Sequence, residues 1–216
     1  GPTADGWEVS RYSGGTPAAA NDAVRLEPPV TCFDETAAWL YHDSSNGLPT
    51  GWHNTAYSED AGGWRTGNGV LAFEDATLPA TIGTTLASPA MHPTGTYYFV
   101  KRFSVHGDPS DREWTLRMLV DDGAVIHLNG VEIARRNMPP GTVTASTAAS
   151  GEVEDASFAD ILIPAAALLS GENTLGVEVH GAGRPLPAVP ASSPPVFRLM
   201  ATGGAMDKAT NIALTG

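Results

Sequence analysis

A chain of 216 residues with 24 Gly and 17 Pro has room for one all-β domain or two small ones, and its turn-rich composition favours a single domain of many short strands. Twelve Lys and Arg against 24 Asp and Glu give a net charge of −12 with no basic cluster, which excludes phosphate-driven binding to DNA or RNA. The single cysteine, Cys32, excludes an internal disulfide and a thiolate zinc cluster, and no apolar run is long enough to span a bilayer.

The chain starts Gly1-Pro2, as a tag-cleavage scar does, and is expected to be a piece of a longer secreted precursor. Residues 1–30 hold few large apolar side chains and include the small-residue run SGGTPAAAND, so they read as an arm or linker. The compact domain is expected over 31–204 and a tail over 205–216. The run AWLYH is taken as its first strand. Residues 43–75 form a turn-dense loop in which Trp52, Tyr57, Trp64, Val70, Leu71 and Phe73 are spaced by Gly, Asn and Ser. Residues 77–94 read as a second loop. The run TYYFVKRFSV at 96–105 alternates as a long strand with Tyr97, Phe99, Phe103 and Val105 on one side. Lys101 breaks that face, which predicts a bulge or an edge position.

The most informative stretch is WTLRMLVDDGAVIHLNGVEIARR, residues 114–136. Its three alternating runs are separated by Asp121-Asp122-Gly123 and by Asn129-Gly130, a dipeptide suited to a type I′ turn. The pattern predicts a three-stranded antiparallel meander with one buried face made of Leu116, Met118, Val120, Ile126, Leu128, Val131 and Ile133. Residues 137–157 lack periodicity. A strand follows at 158–163, then a short helix PAAALLS opened by Pro164 and closed by Gly171. In the strand at 174–180, Leu175, Val177 and Val179 should point inward, and Glu178 and His180 outward. Residues 181–195 are a Gly/Pro-rich loop, and 196–201 supply a closing strand.

Candidate chemistry is sparse. Asp121 and Asp122 are adjacent carboxylates that repel unless a cation, a donor-rich turn or water relieves them. Asp43-Ser44-Ser45-Asn46-Gly47 is a second oxygen-rich loop without the spacing of an EF-hand. The rings of Trp52, Tyr57 and Trp64 lie on loops, where they can stack on sugar faces or pin the loop to the core; with His180 they form the candidate ligand-binding set. His42, His53, His92, His106, His127 and His180 show no H-E-x-x-H pattern, and His127 and His180 read as half-buried polar contacts on strands. No G-x-S-x-G motif or Cys/His arrangement is present, so no catalytic residue is assigned.

The succession WLYHDSSNGLPTGW, AGGWRTGNGVLAF, TYYFVKRFSV, LVDDGAVIHLNGVEIAR, LLSGENTLGVEVHG and VFRLMATG resembles galactose-binding-like jelly-roll modules of secreted bacterial multidomain proteins. It is also similar to the sugar-binding jelly roll of β-galactosidases and β-glucuronidases. The resemblance runs over residues 38–202 and implies an antiparallel β-sandwich with one short helix and an accessory, non-catalytic role. The run VDDGAVIHLNG also resembles calcium-dependent lectin jelly rolls of the protective-antigen type, which implies Ca²⁺ held at Asp121 and Asp122; such an ion needs 6 to 8 oxygens, and two aspartates supply only some. The competing reading is that Asp-Asp-Gly makes the turn and a carboxylate accepts backbone N–H groups. The expectation is therefore a monomeric, secreted carbohydrate-binding module, with a polysaccharide and neighbouring domains as partners. The alternatives are a spacer or docking domain, and a lyase or hydrolase built on a jelly roll.

Overall fold

The computed structural model describes residues 29–43, 48, 51–54, 63–73, 78–87, 95–153 and 157–182, and the backbone of 196–205. Within them the chain forms twelve strands: β1 (Val30–Phe33), β2 (Ala38–His42), β3 (Arg65–Asn68), β4 (Leu71–Ala72), β5 (Thr84–Thr85), β6 (Thr96–Val105), β7 (Arg112–Asp121), β8 (Gly123–Leu128), β9 (Val131–Arg136), β10 (Phe158–Ile163), β11 (Gly171–His180) and β12 (Val196–Ala205). They pair into two six-stranded sheets. The first has the order β10-β7-β12-β4-β5 with β1 on β12, and the second the order β3-β2-β6-β11-β8-β9. Every pairing is antiparallel except β4 with β5, so the described residues are all-β apart from short 3₁₀ turns, as the composition predicts.

The core is built by period-2 alternation, which gives each strand one apolar side. Leu116, Met118 and Val120 of β7 meet Tyr97, Phe99, Phe103 and Val105 of β6, Ala124, Ile126 and Leu128 of β8, and Leu175, Val177 and Val179 of β11 in one cluster fed by both sheets. Phe33 and Trp39 close one region of it edge to face at 5.6 Å.

Several expectations need correction. Asp121-Asp122-Gly123 does not join paired strands. β7 lies between β10 and β12, β8 between β11 and β9, so the three residues carry the chain from one sheet to the other. Alternation is the same on both sides of the crossing, because both apolar rows face one core. A Cβ at Gly123 would fall 2.7 Å from Met138 Sδ and 2.8 Å from Ala149 Cβ, so only glycine fits the passage. The Asn129-Gly130 turn does join β8 to β9, with φ of 52° and 86°. Val131 keeps the register of Leu128 but starts the edge strand β9 and is 64% exposed rather than buried, and a register shift beyond His127 pairs Ile126 with Ala134 instead of Ile133.

The helix expected after Pro164 is a single 3₁₀ turn, Ala165–Ala167. Its competitor is Asn173, which accepts from Leu169 N–H and Asn129 Nδ2 and donates to the carbonyls of Leu169 and Gly171, holding the chain in a tight loop. β6 is neither bulged nor at an edge: it pairs continuously with β11 and also with β2. Lys101 is accommodated by donating to Ala38 O at 2.8 Å. A strand also precedes AWLYH among the described residues: β1 pairs with β12.

Candidate functional site

The side of the second sheet that faces away from the core holds the densest group of chemically versatile side chains. Strand register sets them in rows. Leu40, Val100, Gly176, His127 and Glu132 are cross-strand neighbours, and beside them run His42, Tyr98, Glu178, Val125 and Arg135, then Thr96, His180 and Gly123. This is the outward half of the same alternation that fills the core. Glu178 and His180, expected to point outward, do so and yet are buried, His180 completely rather than by half.

Two segments cover them. The turn at 51–54 lays Trp52 against Tyr98, ring centroids 5.0 Å apart, and stacks His53 on His127 at 4.0 Å with planes 13° apart. The turn can sit this low because Gly176 lies beneath it; a Cβ there would stand 2.5 Å from His53 Cβ. Trp64 completes the aromatic group, 6.4 Å from Trp52 and 5.6 Å from His42. The second cover is the irregular segment after β9. It is tied down by Ala149 N–H to Gly181 O, by Ser150 N–H to Asn137 O, and by the Thr96 hydroxyl to Ala145 O at 2.7 Å.

That last bond fixes a tautomer. The hydroxyl has one proton, given to the Ala145 carbonyl, so its oxygen accepts from His180 Nδ1–H at 2.9 Å, and Nε2 is left facing Glu178 Oε2 at 3.5 Å. Glu178 sits near the middle of the face and acts electrostatically on His53, Tyr98, His127 and Arg135. Burial pushes the Tyr98 phenol up to about 12, with Glu178 adding to it. Burial, with His53 alongside, pushes His127 down to about 4, and burial lowers His53 as well. Both rings are therefore neutral imidazoles at pH 7. Arg135 is fully engaged, in a fork on Glu132 at 2.6 and 2.7 Å and through Nη1 on the carbonyls of Pro139 and Gly141.

The fold is shared with part of a glycoside hydrolase. A glycosyl hydrolase family 2 member from Bacteroides cellulosilyticus DSM 14838 superposes with a TM-score of 0.52 at 18% identity, over 81% of this chain and 20% of its own. A β-glucuronidase of an uncultured Clostridium sp. (TM-score 0.48, 15% identity, 84% of this chain, 29% of that one) and one of Bifidobacterium dentium complexed with coumarin-3-O-glucuronide (0.48, 14%, 88%, 31%) are more distant in shape. The chain thus spans about a fifth of the length of the Bacteroides protein, and at that identity the likeness is one of fold. No protein-family model and no curated protein matches the chain.

Of the residues singled out from sequence, Trp52, Trp64 and His180 come together on this face. Trp52 is buried, Trp64 half-buried, and His180 lies beneath the surface as part of the Thr96–Glu178 array. Tyr57 lies outside the described residues, as do Ser44 to Gly47 of the second oxygen-rich loop; Asp43 is buried and takes the Arg65 guanidinium and Ala87 N–H. Asp121 and Asp122 are elsewhere, at the sheet crossing, and both are buried. Each oxygen of Asp122 accepts a backbone amide, Oδ1 from Val153 at 2.8 Å and Oδ2 from Ala182 at 2.7 Å. Among the described residues no group of three or more His, Cys, Asp or Glu converges, so a Ca²⁺ shell there would have to be built largely from carbonyls and water. The sequence did not single out His53, Tyr98, Glu178, Glu132 or Arg135 as site residues. Their signal is the outward phase of β6, β9 and β11, visible only once one knows that the outward face is covered.

Proposed function

We propose that the chain is a non-catalytic carbohydrate-binding module, a jelly-roll β-sandwich accompanying a glycoside-acting catalytic domain in a larger secreted protein. The observation that carries this reading is the outer face of the second sheet, where Trp64, His53 and His127 are half-buried around Trp52 and Tyr98. Flat rings there can cover the C–H face of a sugar, while neutral imidazoles donate to and accept from its hydroxyls. Binding at such a shallow surface would be weak alone and would act by raising local substrate concentration for the attached domain. The fold shared with a fifth of a glycosyl hydrolase family 2 protein supports a part within a multidomain chain.

Calorimetry against a panel of polysaccharides tests it. The intact fragment should bind at least one glycan at millimolar affinity or better, and Trp64→Ala should abolish that binding while leaving the melting temperature nearly unchanged. Repeating the titration with EDTA and with Ca²⁺ decides whether calcium takes part, and new reducing ends or unsaturated products in the same mixtures would replace this reading with a catalytic one. A second reading, a docking surface for a neighbouring domain, is favoured by the small share, 20%, of the glycosyl hydrolase family 2 chain over which the fold is shared. It predicts no glycan heat and a higher melting temperature in a longer fragment.

A further inference from the structure

If the outer face of the second sheet contacts sugar, its charges limit which sugar. We propose that it selects uncharged sugar units and rejects hexuronates, an inference that rests on the carbohydrate-binding reading above.

A hexuronate brings a carboxylate that must be met by a cation or by several strong donors when it leaves water. Among the described residues the cations near the face are committed. Arg135 spends both arms of its fork on Glu132 and its remaining nitrogen on Pro139 O and Gly141 O. Arg65 is paired with Asp43 and lies over the Tyr41 ring. Arg102, on the next outward row of β6 opposite Thr174, is not free either. The two imidazoles at the surface are held neutral by their burial against each other. Meanwhile the Glu178 carboxylate lies in the middle of the face, two residues along β11 from His180 on one side and from Gly176, which underlies His53, on the other. An incoming carboxylate would find a like charge below it and an overall −12 around it. An uncharged pyranose meets neither obstacle, since its hydroxyls pair with neutral imidazoles as well as with water and its C–H face meets the Trp64 ring.

The test uses the whole fragment and oligosaccharides of equal length: cellulose, mannan and xylan oligomers as neutral ligands, and oligogalacturonate and hyaluronan oligomers as acidic ones. The best neutral ligand should bind on the order of tenfold more tightly than any acidic one, as a like charge within several ångströms of a partly buried carboxylate requires. The gap should shrink when salt is raised to about 0.5 M, a readout that needs no variant. Glu178→Gln, if its circular dichroism is unchanged, should raise affinity for the acidic oligomers without improving the neutral ones. An acidic oligomer that binds as tightly as the best neutral one, or a salt-independent preference, overturns the selectivity and leaves sugar binding standing. Absence of binding by every oligomer overturns sugar binding itself and the selectivity with it.

Discussion

The stacked pair His53–His127 makes the fold sensitive to mild acid. His127 titrates in the folded chain at about 4, against 6.5 for an ordinary histidine, because burial removes water from the charged form and the facing His53 ring adds repulsion, only partly offset by Glu178 and Glu132, with Arg135 acting in the same direction as His53. A base whose folded pKa lies below its unfolded value takes up its proton more readily when unfolded. Its stabilising contribution is therefore complete above pH 6.5 and lost progressively as pH falls from there to about 4. The whole difference corresponds to roughly 3 kcal/mol, and the partial exposure of the ring brings the expected loss nearer to roughly 2 kcal/mol. His127→Phe keeps a flat ring over His53 and removes the titration. Urea unfolding of both proteins at pH 7.0, 5.5 and 4.5 should give stability curves that converge or cross, the parent losing about 2 kcal/mol more than the variant over that interval. Parallel curves, or an NMR titration placing His127 near 6.5, would refute the reasoning.

Other consequences of the packing are as direct. Asp122→Ala leaves the Val153 and Ala182 amides without their acceptor and should cost about 2–4 kcal/mol in urea unfolding, whether or not Ca²⁺ is present; Asp122→Asn, which keeps one oxygen, should cost less. Gly176→Ala drives a methyl group into the backbone of His53 and should destabilise by about 1–3 kcal/mol while changing Trp52 fluorescence, because the turn at 51–54 must lift. Asn173→Ala removes a fully buried amide that makes four hydrogen bonds around the 3₁₀ turn; a loss of about 3 kcal/mol or more is expected in thermal unfolding, with Asn173→Asp scarcely better.

Alternation made much of this fold legible. The inward rows of β6, β7, β8 and β11 are buried as their spacing demands, and the Asn129-Gly130 turn has the positive φ angles its residues favour. What alternation does not encode is the sheet to which a strand belongs. β7 and β8 have apolar rows in compatible phase whether they pair with each other or face one another across the core, so a crossing looks like a hairpin. Nor does it reveal that β9 is an edge strand, where Val131 stays exposed although it lies opposite the buried Leu128. The candidate site was only half visible for a related reason. Trp52 and Trp64 stand out by size, but Glu178 and His180 look like ordinary outward polar residues until the 51–54 turn and the segment held by Thr96 are seen to cover them. The short helix failed because helix propensity in an Ala-Ala-Ala run is weak beside four hydrogen bonds from one asparagine.

β12 lies inside its sheet, with β7 on one side and β4 and β1 on the other, although it is the last of the described strands in chain order. During synthesis, therefore, β7 waits with one edge open until β12 has been made, and until then β1 lacks the strand it pairs with. Folding of this sheet has to be a late, closing event that joins distant parts of the sequence, slow by its topology. Until that closure the open edge of β7 can pair with a strand of another chain, so the arrival of β12 is the step at which folding and aggregation compete.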